Sequence, residues 1–297
     1  MKVNDYIYPS FLVTENLFAI AGDEETLFRT TERILSDGFY KKVELATIKN
    51  PAMCRKYAKM IGQLGLEWVQ WLTADINELK LNPSTTDKAL RKRTIEALVR
   101  LVENAAQSGA NHVAIIGGPD CPVALREEAT KGLEEVLTVV CEKISQYPGM
   151  KLLLEPLDRG AHKNNLIGPT PEAVALMERV NRAHNNCRIA WDSAHVALNK
   201  EDFSESLRQS APFLGQLHIA NAIVDPQAEG YGDWHMPMGK PGVITQESGR
   251  EILRAAAQAV RGALPISVAI ETRCLEAQEI MRRVETNRKF LEEILFA

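Results

Sequence analysis

Eight short aliphatic runs, alternating with longer amphipathic stretches, predict an α/β fold: a (β/α)8 TIM barrel built as a single domain over residues 1–297. Three observations carry this. The runs occupy residues 6–13, 42–48, 68–74, 112–117, 151–157, 188–192, 215–220 and 266–271, which is the number of strands that closes such a barrel. A length of 297 residues suits one barrel, typically about 250 residues, with its loops. A doubly wound sheet, the competing arrangement, calls for a glycine-rich phosphate loop after the first strand, and FLVTENLFA contains no glycine.

The segments between the runs read as helices. TTDKALRKRTIEALVRLVENAAQSG follows a Pro–Ser pair, keeps an apolar stripe and stops at Gly109. TPEAVALMERV offers Thr170 as N-cap and Pro171 at the first helical position. LEAQEIMRRVETNRKFLEEIL reads as a terminal helix. No linker or low-complexity stretch divides the chain.

Composition narrows the function. The chain is 45% hydrophobic and 25% charged with a net charge of −4, so a broad nucleic-acid footprint, which needs a basic face, is not expected. Five scattered cysteines without CxxC spacing read as reduced thiols. MKVNDYIYPS lacks the apolar core of a secretory leader, and no run approaches the ~18 apolar residues of a membrane span. The expectation is a cytoplasmic protein with no membrane partner. Exposed barrel helices also leave room for pairing into a homo-oligomer.

Barrel enzymes keep their chemistry at the C-terminal ends of the strands. There the fifth run carries Glu155, the sixth ends in Asp192, the seventh carries His218 and the eighth ends in Glu271. Singly, each has an ordinary structural reading, as a loop cap or a satisfied core histidine. Together, three carboxylates converging on one mouth would repel one another and lose hydration unless a cation neutralised them. Three oxygen donors with one imidazole favour one divalent metal ion, Mn2+ foremost, with Mg2+, Co2+ and Zn2+ compatible. No sulfur joins the set, which argues against a structural zinc site.

The motifs LLLEPLDR, WDSAH, LHIANA, GDWHMPMGKPG and VAIETR resemble the xylose-isomerase-like TIM-barrel superfamily. That group includes sugar isomerases, ketose 3-epimerases and endonuclease IV nucleases. The resemblance implies that Glu155, Asp192, His218 and Glu271 bind the metal. It also implies proton transfer beside the carbonyl of a small sugar, keto-sugar or sugar acid, through a metal-stabilised enediolate. Glu155 and Glu271 would then be the pair that takes and returns the proton, and His195, three residues past Asp192, the donor to the carbonyl oxygen. Arg273 shares strand parity with Glu271, and Arg159, His162 and Asn165 follow Glu155 in one loop. Glu44 lies in the second run. These five are expected to contact substrate. His112 and His184 are assigned to structure, His112 because it begins its strand at the opposite end of the barrel.

NAIVDPQAEGYGDWHMPMGKPGVI, after the seventh run, is longer than usual connections and is expected to act as a lid bringing His235 to the substrate. Here the chain departs from the ketose epimerases, which carry an arginine shortly after the seventh-strand histidine. Ile219, Ala220, Asn221 and Ala222 stand in that place. That departure counts against simple C3 epimerisation and leaves room for another reaction on the same enediolate chemistry. Isomerase or epimerase is the leading expectation, with a lyase, meaning dehydration, decarboxylation or cleavage of a keto-sugar, as the alternative on the same scaffold. A nuclease like endonuclease IV is the remote alternative. Asp192–His195 and Asp233–His235 match its DxxH and DxH spacings, but EWVQWLTADI lacks the histidines its metal cluster takes from earlier strands. A non-catalytic sugar-binding barrel would not need two opposed metal-bound carboxylates.

Overall fold

The structure is a computed structural model and describes residues 2–296. Its strands are β1 (Ile7–Leu12), β2 (Lys42–Ala46), β3 (Glu67–Trp71), β4 (His112–Ile116), β5 (Lys151–Glu155), β6 (Cys187–Asp192), β7 (Leu214–Ile223), β8 (Gly232–Met236) and β9 (Ile266–Glu271). β1 to β7 pair in sequence order and in parallel, and β9 closes the ring by pairing β7 on one side and β1 on the other. The result is a closed eight-stranded parallel barrel wrapped by helices, as predicted. Each of the eight aliphatic runs overlaps a barrel strand, with ends displaced by at most three residues.

β8 was not among those runs. It lies antiparallel on the C-terminal end of β7, with Asn221 opposite Met236. The stretch expected to be a lid is thus partly a hairpin strand, and its return is pinned. The Asn221 amide donates to the carbonyls of Pro237 and Gly239 and accepts from the Ile244 N–H. Gly242 packs so close to that amide that a Cβ there would lie 2.2 Å from Asn221 Oδ1. Sequence periodicity missed β8 because Gly232, Asp233 and His235 are weak strand formers; pairing with β7 supplies the order.

Helix ends follow capping chemistry. Asp87 caps the helix Lys88–Ser108, which terminates at Gly109 in a left-handed conformation (φ 95°). The Thr170 expectation is corrected: Pro169 occupies the N-cap of the helix Thr170–Val180, and the Thr170 hydroxyl instead bonds Ser206. The Thr170 N–H is satisfied by the carboxylate of Glu201, so the helix start needs no hydroxyl cap.

Strand parity sorts the barrel's side chains. Val43, Trp68, Val113, Ile115, Leu152, Leu154, Ile189, Trp191, Val268 and Ile270 face outward and form one core with the helices. The lumen holds a smaller cluster of Leu12, Val69, Trp71, Ala114, Leu153, Ala190 and Ala269. Small residues at three of these positions leave room for the polar side chains of the same parity, among them Glu44, Gln216 and His218, all buried. All five cysteines are free, as expected. Among the described residues, no helix is long and apolar enough to cross a membrane.

Candidate active site

The parity that faces Ala114 and Ala190 into the lumen also faces Glu155, Asp192, His218 and Glu271 inward at the C-terminal mouth. Register sets their level: Asp192 pairs with His218 across β6 and β7, and Ala220 pairs with Glu271 across β7 and β9. One ligand atom from each of the four lies within 4.8 Å of every other. The sequence-predicted quartet therefore converges on one point.

Its hydrogen bonding is incomplete in a telling way. Asp192 Oδ1 accepts the N–H groups of Ala194 and His195, capping the short helix Ser193–Leu198, while Oδ2 is buried with no partner. His218 Nε2 lies 2.9 Å from Glu44 Oε2. His218 Nδ1 is 2.8 Å from Glu271 Oε2 and 3.5 Å from Glu155 Oε1, yet it lies off the line of a hydrogen bond with either. Buried polar atoms are ordinarily satisfied, so two orphans facing one gap mark a place for a cation. Three carboxylates and an imidazole fit a divalent ion that accepts oxygen and nitrogen donors. With Nε2–H given to Glu44, Nδ1 is the atom left to meet it.

The same crowding shifts proton affinities. Burial, with the carboxylates of Glu271 and Glu155 adding to it, raises the Asp192 carboxyl to about 7 against the pull of His195. Burial would lower His218, but the carboxylates of Glu44 and Glu271 outweigh it and hold the imidazole well above its ordinary range. At His195 burial is likewise outweighed, here by Asp192 and by Asp158, and the value rises to about 9.

His195 is buried at the edge of a cavity of about 600 Å3 that opens over the quartet. Its Nδ1 stands 3.3 Å from Asp158 Oδ2 and its Nε2 3.9 Å from Asp233 Oδ2. Asp158 is fully buried and also accepts the N–H groups of Ala161, His162 and Lys163. It folds the loop after β5 so that Lys163 projects into the cavity, 3.0 Å from Asp233 Oδ2.

His235 lies on β8 with positive φ (52°), a conformation uncommon outside glycine. It bridges Glu15 (2.7 Å) and Asp233 (3.1 Å) and stands 3.5 Å from Glu271 Oε1. Against the effect of burial, Glu271, Asp233 and Glu15 raise it to about 11. Arg273 makes two hydrogen bonds to Glu15 and closes that side.

Of the remaining predicted residues, Asn165 and Arg273 line the cavity, with His195 and His235. Glu44, Arg159 and His162, also expected to contact substrate, do not. Glu44 lies beneath His218, accepting from Ser10, Trp71 and Gln216 in the lumen, because it stops short of the mouth by the two residues that end β2. Arg159 turns outward to pair with Glu172 on the following helix. His162 stacks on Trp234, with ring centroids 4.3 Å apart, and so ties the β5 loop to β8.

Sequence reasoning missed Glu15, Trp71, Asp158 and Lys163. Trp71 and Glu15 sit at or just beyond the ends of β3 and β1, a position that could have nominated them. Lys163 had no such signal, since its aim depends on the turn around Asp158.

Comparison with known proteins places this geometry. A family profile described as xylose isomerase-like TIM barrel matches residues 36–288. A D-psicose 3-epimerase of Agrobacterium fabrum (strain C58) is 27% identical over 203 residues, which is 66% of this chain. The match spans 64% of that relative's length, less than two thirds. An L-ribulose 3-epimerase structure superposes with a TM-score of 0.71 at 18% identity, covering 97% of this chain and 94% of the other. The zinc-bound IOLI protein gives 0.73 at 16% identity, covering 98% of both chains. At those identities the two structures speak for the fold.

Proposed function

We propose that this chain, which belongs to the xylose isomerase-like TIM barrel family, is a divalent-metal-dependent sugar epimerase or isomerase working on a small ketose. The observation that carries the reading is the mouth quartet. Glu155 and Glu271 stand on strands separated by β6 and β7, and between them the orphaned Asp192 Oδ2 and His218 Nδ1 face the same gap. The relative named D-psicose 3-epimerase supports a ketose as substrate.

Glu155, Asp192, His218 and Glu271 would hold the ion, with Mn2+ preferred for this donor set. When bound, the ion supplies positive charge that stabilises the oxygen atoms of an enediolate. Glu155 and Glu271 approach the reacting carbon from different sides, so one can remove its proton and the other return one to the opposite face. His195, kept protonated by Asp158 and Asp192, donates to the carbonyl oxygen. Lys163 and Arg273 orient hydroxyl groups at the rim. Asn165 offers a further amide to the same cavity. A second reading, a lyase, is favoured by His235, a protonated imidazole 3.5 Å from Glu271 that could pass a proton to a departing hydroxyl.

The test is isotopic. Metal-stripped protein reloaded with Mn2+ is incubated with D-psicose or D-fructose in D2O and the products are read by NMR and mass spectrometry. One carbon-bound deuterium in an otherwise unchanged formula is expected. Loss of water would select the lyase. No exchange into any ketose by the reloaded protein would overturn both.

A further inference from the structure

A second cavity, of about 400 Å3, adjoins the first and shares Thr14, Glu15, Phe18 and Ala46 with it. Its character is different. The first sets Glu155, His195, His218, His235 and Glu271 among apolar residues such as Leu12, Trp71 and Leu157, whereas the second is lined chiefly by Val13, Leu27, Leu45, Ile48, Met53 and Tyr57, together with Glu24, Thr47 and Lys49. It lies between the top of β2 and the helices Glu24–Leu35 and Pro51–Leu64. At the seam stands Phe18, an aromatic side chain 44% exposed. The Arg273 guanidinium sits 4.7 Å from the centre of its ring, which holds that ring at the boundary of the two spaces.

Volume shows what this adjacency is for. A dry apolar cavity of about 150 Å3 holds benzene, six heavy atoms, so a ketohexose of twelve needs about 300 Å3. The first cavity, at about 600 Å3, exceeds that before the second is counted. Ligand sites are concave and largely apolar, with a few polar groups fixing orientation, and the second cavity extends the apolar wall of the first. An exposed phenylalanine at the junction also exposes apolar area that an uncharged ring would cover favourably.

We infer that the substrate is a sugar carrying an aryl substituent, with the sugar over Glu155 and Glu271 and the aryl ring past Phe18 in the second cavity. This deepens the proposed function and rests on it for the sugar half, while the aryl half stands on the second cavity. Two variants probe that half. Ala21→Trp adds an indole at an exposed lining position, where the fold tolerates it, and Leu27→Trp fills the cavity from the helix Glu24–Leu35.

The experiment uses benzyl alcohol as the aryl probe with Mn2+-loaded protein and D-fructose, followed by saturation-transfer NMR. Benzyl alcohol is expected to bind the wild type in the presence of D-fructose, to show inter-ligand Overhauser contacts with it, and to bind at least about ten-fold more weakly in both variants, in keeping with lost apolar burial. D-fructose binding should change by less than about two-fold. Absence of aryl binding to the wild type, or binding untouched by either tryptophan, overturns the subsite even if D-fructose still exchanges deuterium. Aryl binding that follows the variants while no ketose exchanges deuterium keeps the subsite and removes the proton-transfer reading. An oligomer that dissociates in Ala21→Trp shows that a neighbouring copy fills the cavity, which also overturns the proposal.

Discussion

At the N-terminal end of the barrel the buried Lys42 ammonium stands 3.2 Å from Glu67 Oε2 and 5.7 Å from the centre of the Tyr8 ring. The Tyr8 hydroxyl donates to the same carboxylate. At the C-terminal end Glu155, Asp192 and Glu271 crowd around His218, with buried atoms on Asp192 and His218 left unpartnered. Both ends enclose charge in a low-dielectric lumen. The floor pairs its buried cation with its anion, satisfies the anion again with a phenol and leaves that anion half exposed to water. The mouth gathers carboxylates that its own imidazoles do not complete. Buried charge therefore does not by itself set the two ends apart; converging carboxylates with unpartnered buried atoms between them do.

The proton affinities run in parallel. Burial, aided by the Lys42 charge, pushes His112 at the floor down to about 3, so it stays neutral. At the mouth the surrounding carboxylates overcome burial and keep His195 protonated. The same residue type is held neutral at one end and protonated at the other because the local sign of charge differs.

The comparison can be broken first at Glu271. Glu271→Gln keeps an oxygen donor but removes the base, so kcat in the ketose exchange assay is expected to fall by about 10³-fold with the circular dichroism spectrum unchanged. Near-normal turnover would take Glu271 out of the chemistry. Next, His195→Ala is expected to lower kcat by about 10²-fold, the scale of one lost donor to a developing oxyanion, with metal content unchanged by elemental analysis. Metal loss in this variant would place His195 among the ligands instead. Glu44→Gln should weaken metal affinity by about 10-fold or more in calorimetric titration, because Glu44 orients His218 without lining the cavity. Saturating metal should then restore most of the turnover, which separates positioning from chemistry.

The floor should answer only in stability. Lys42→Met leaves Glu67, itself half exposed, free to take up water, so the cost is expected to be about 1–2 kcal/mol in urea unfolding, below that of breaking a fully buried pair. Metal affinity and kcat should not move. His112 gives the pH sign. Its folded pKa lies below the unfolded value, so the unfolded chain binds a proton more readily; this contribution is complete above about pH 6.5 and is lost as pH falls from there towards 3. The urea midpoint should drop over that window and drop less in His112→Gln. An unchanged pH dependence would show that His112 is not the group involved.

Much of this was legible in the chain itself. Eight β-branched and aliphatic runs with helices between them dictate a closed parallel barrel, because a strand buried on both faces must be apolar on both. The exceptions to that rule, Glu155, Asp192, His218 and Glu271, declare themselves for the same reason: each is a polar side chain within or at the end of a mostly apolar run. What the runs could not convey is which neighbours complete each group. Glu44 reads like Glu155, a carboxylate within an aliphatic run, but packing of Ser10, Trp71 and Gln216 around it makes it a support for His218. Arg159 reads as a substrate contact and is drawn away by Glu172. Lys163 reads as a loop residue and reaches the cavity through the Asp158 turn. Periodicity records the face on which a side chain stands, a local property of the backbone; partners come from segments tens to hundreds of residues away, and their identity exists only once the barrel has closed.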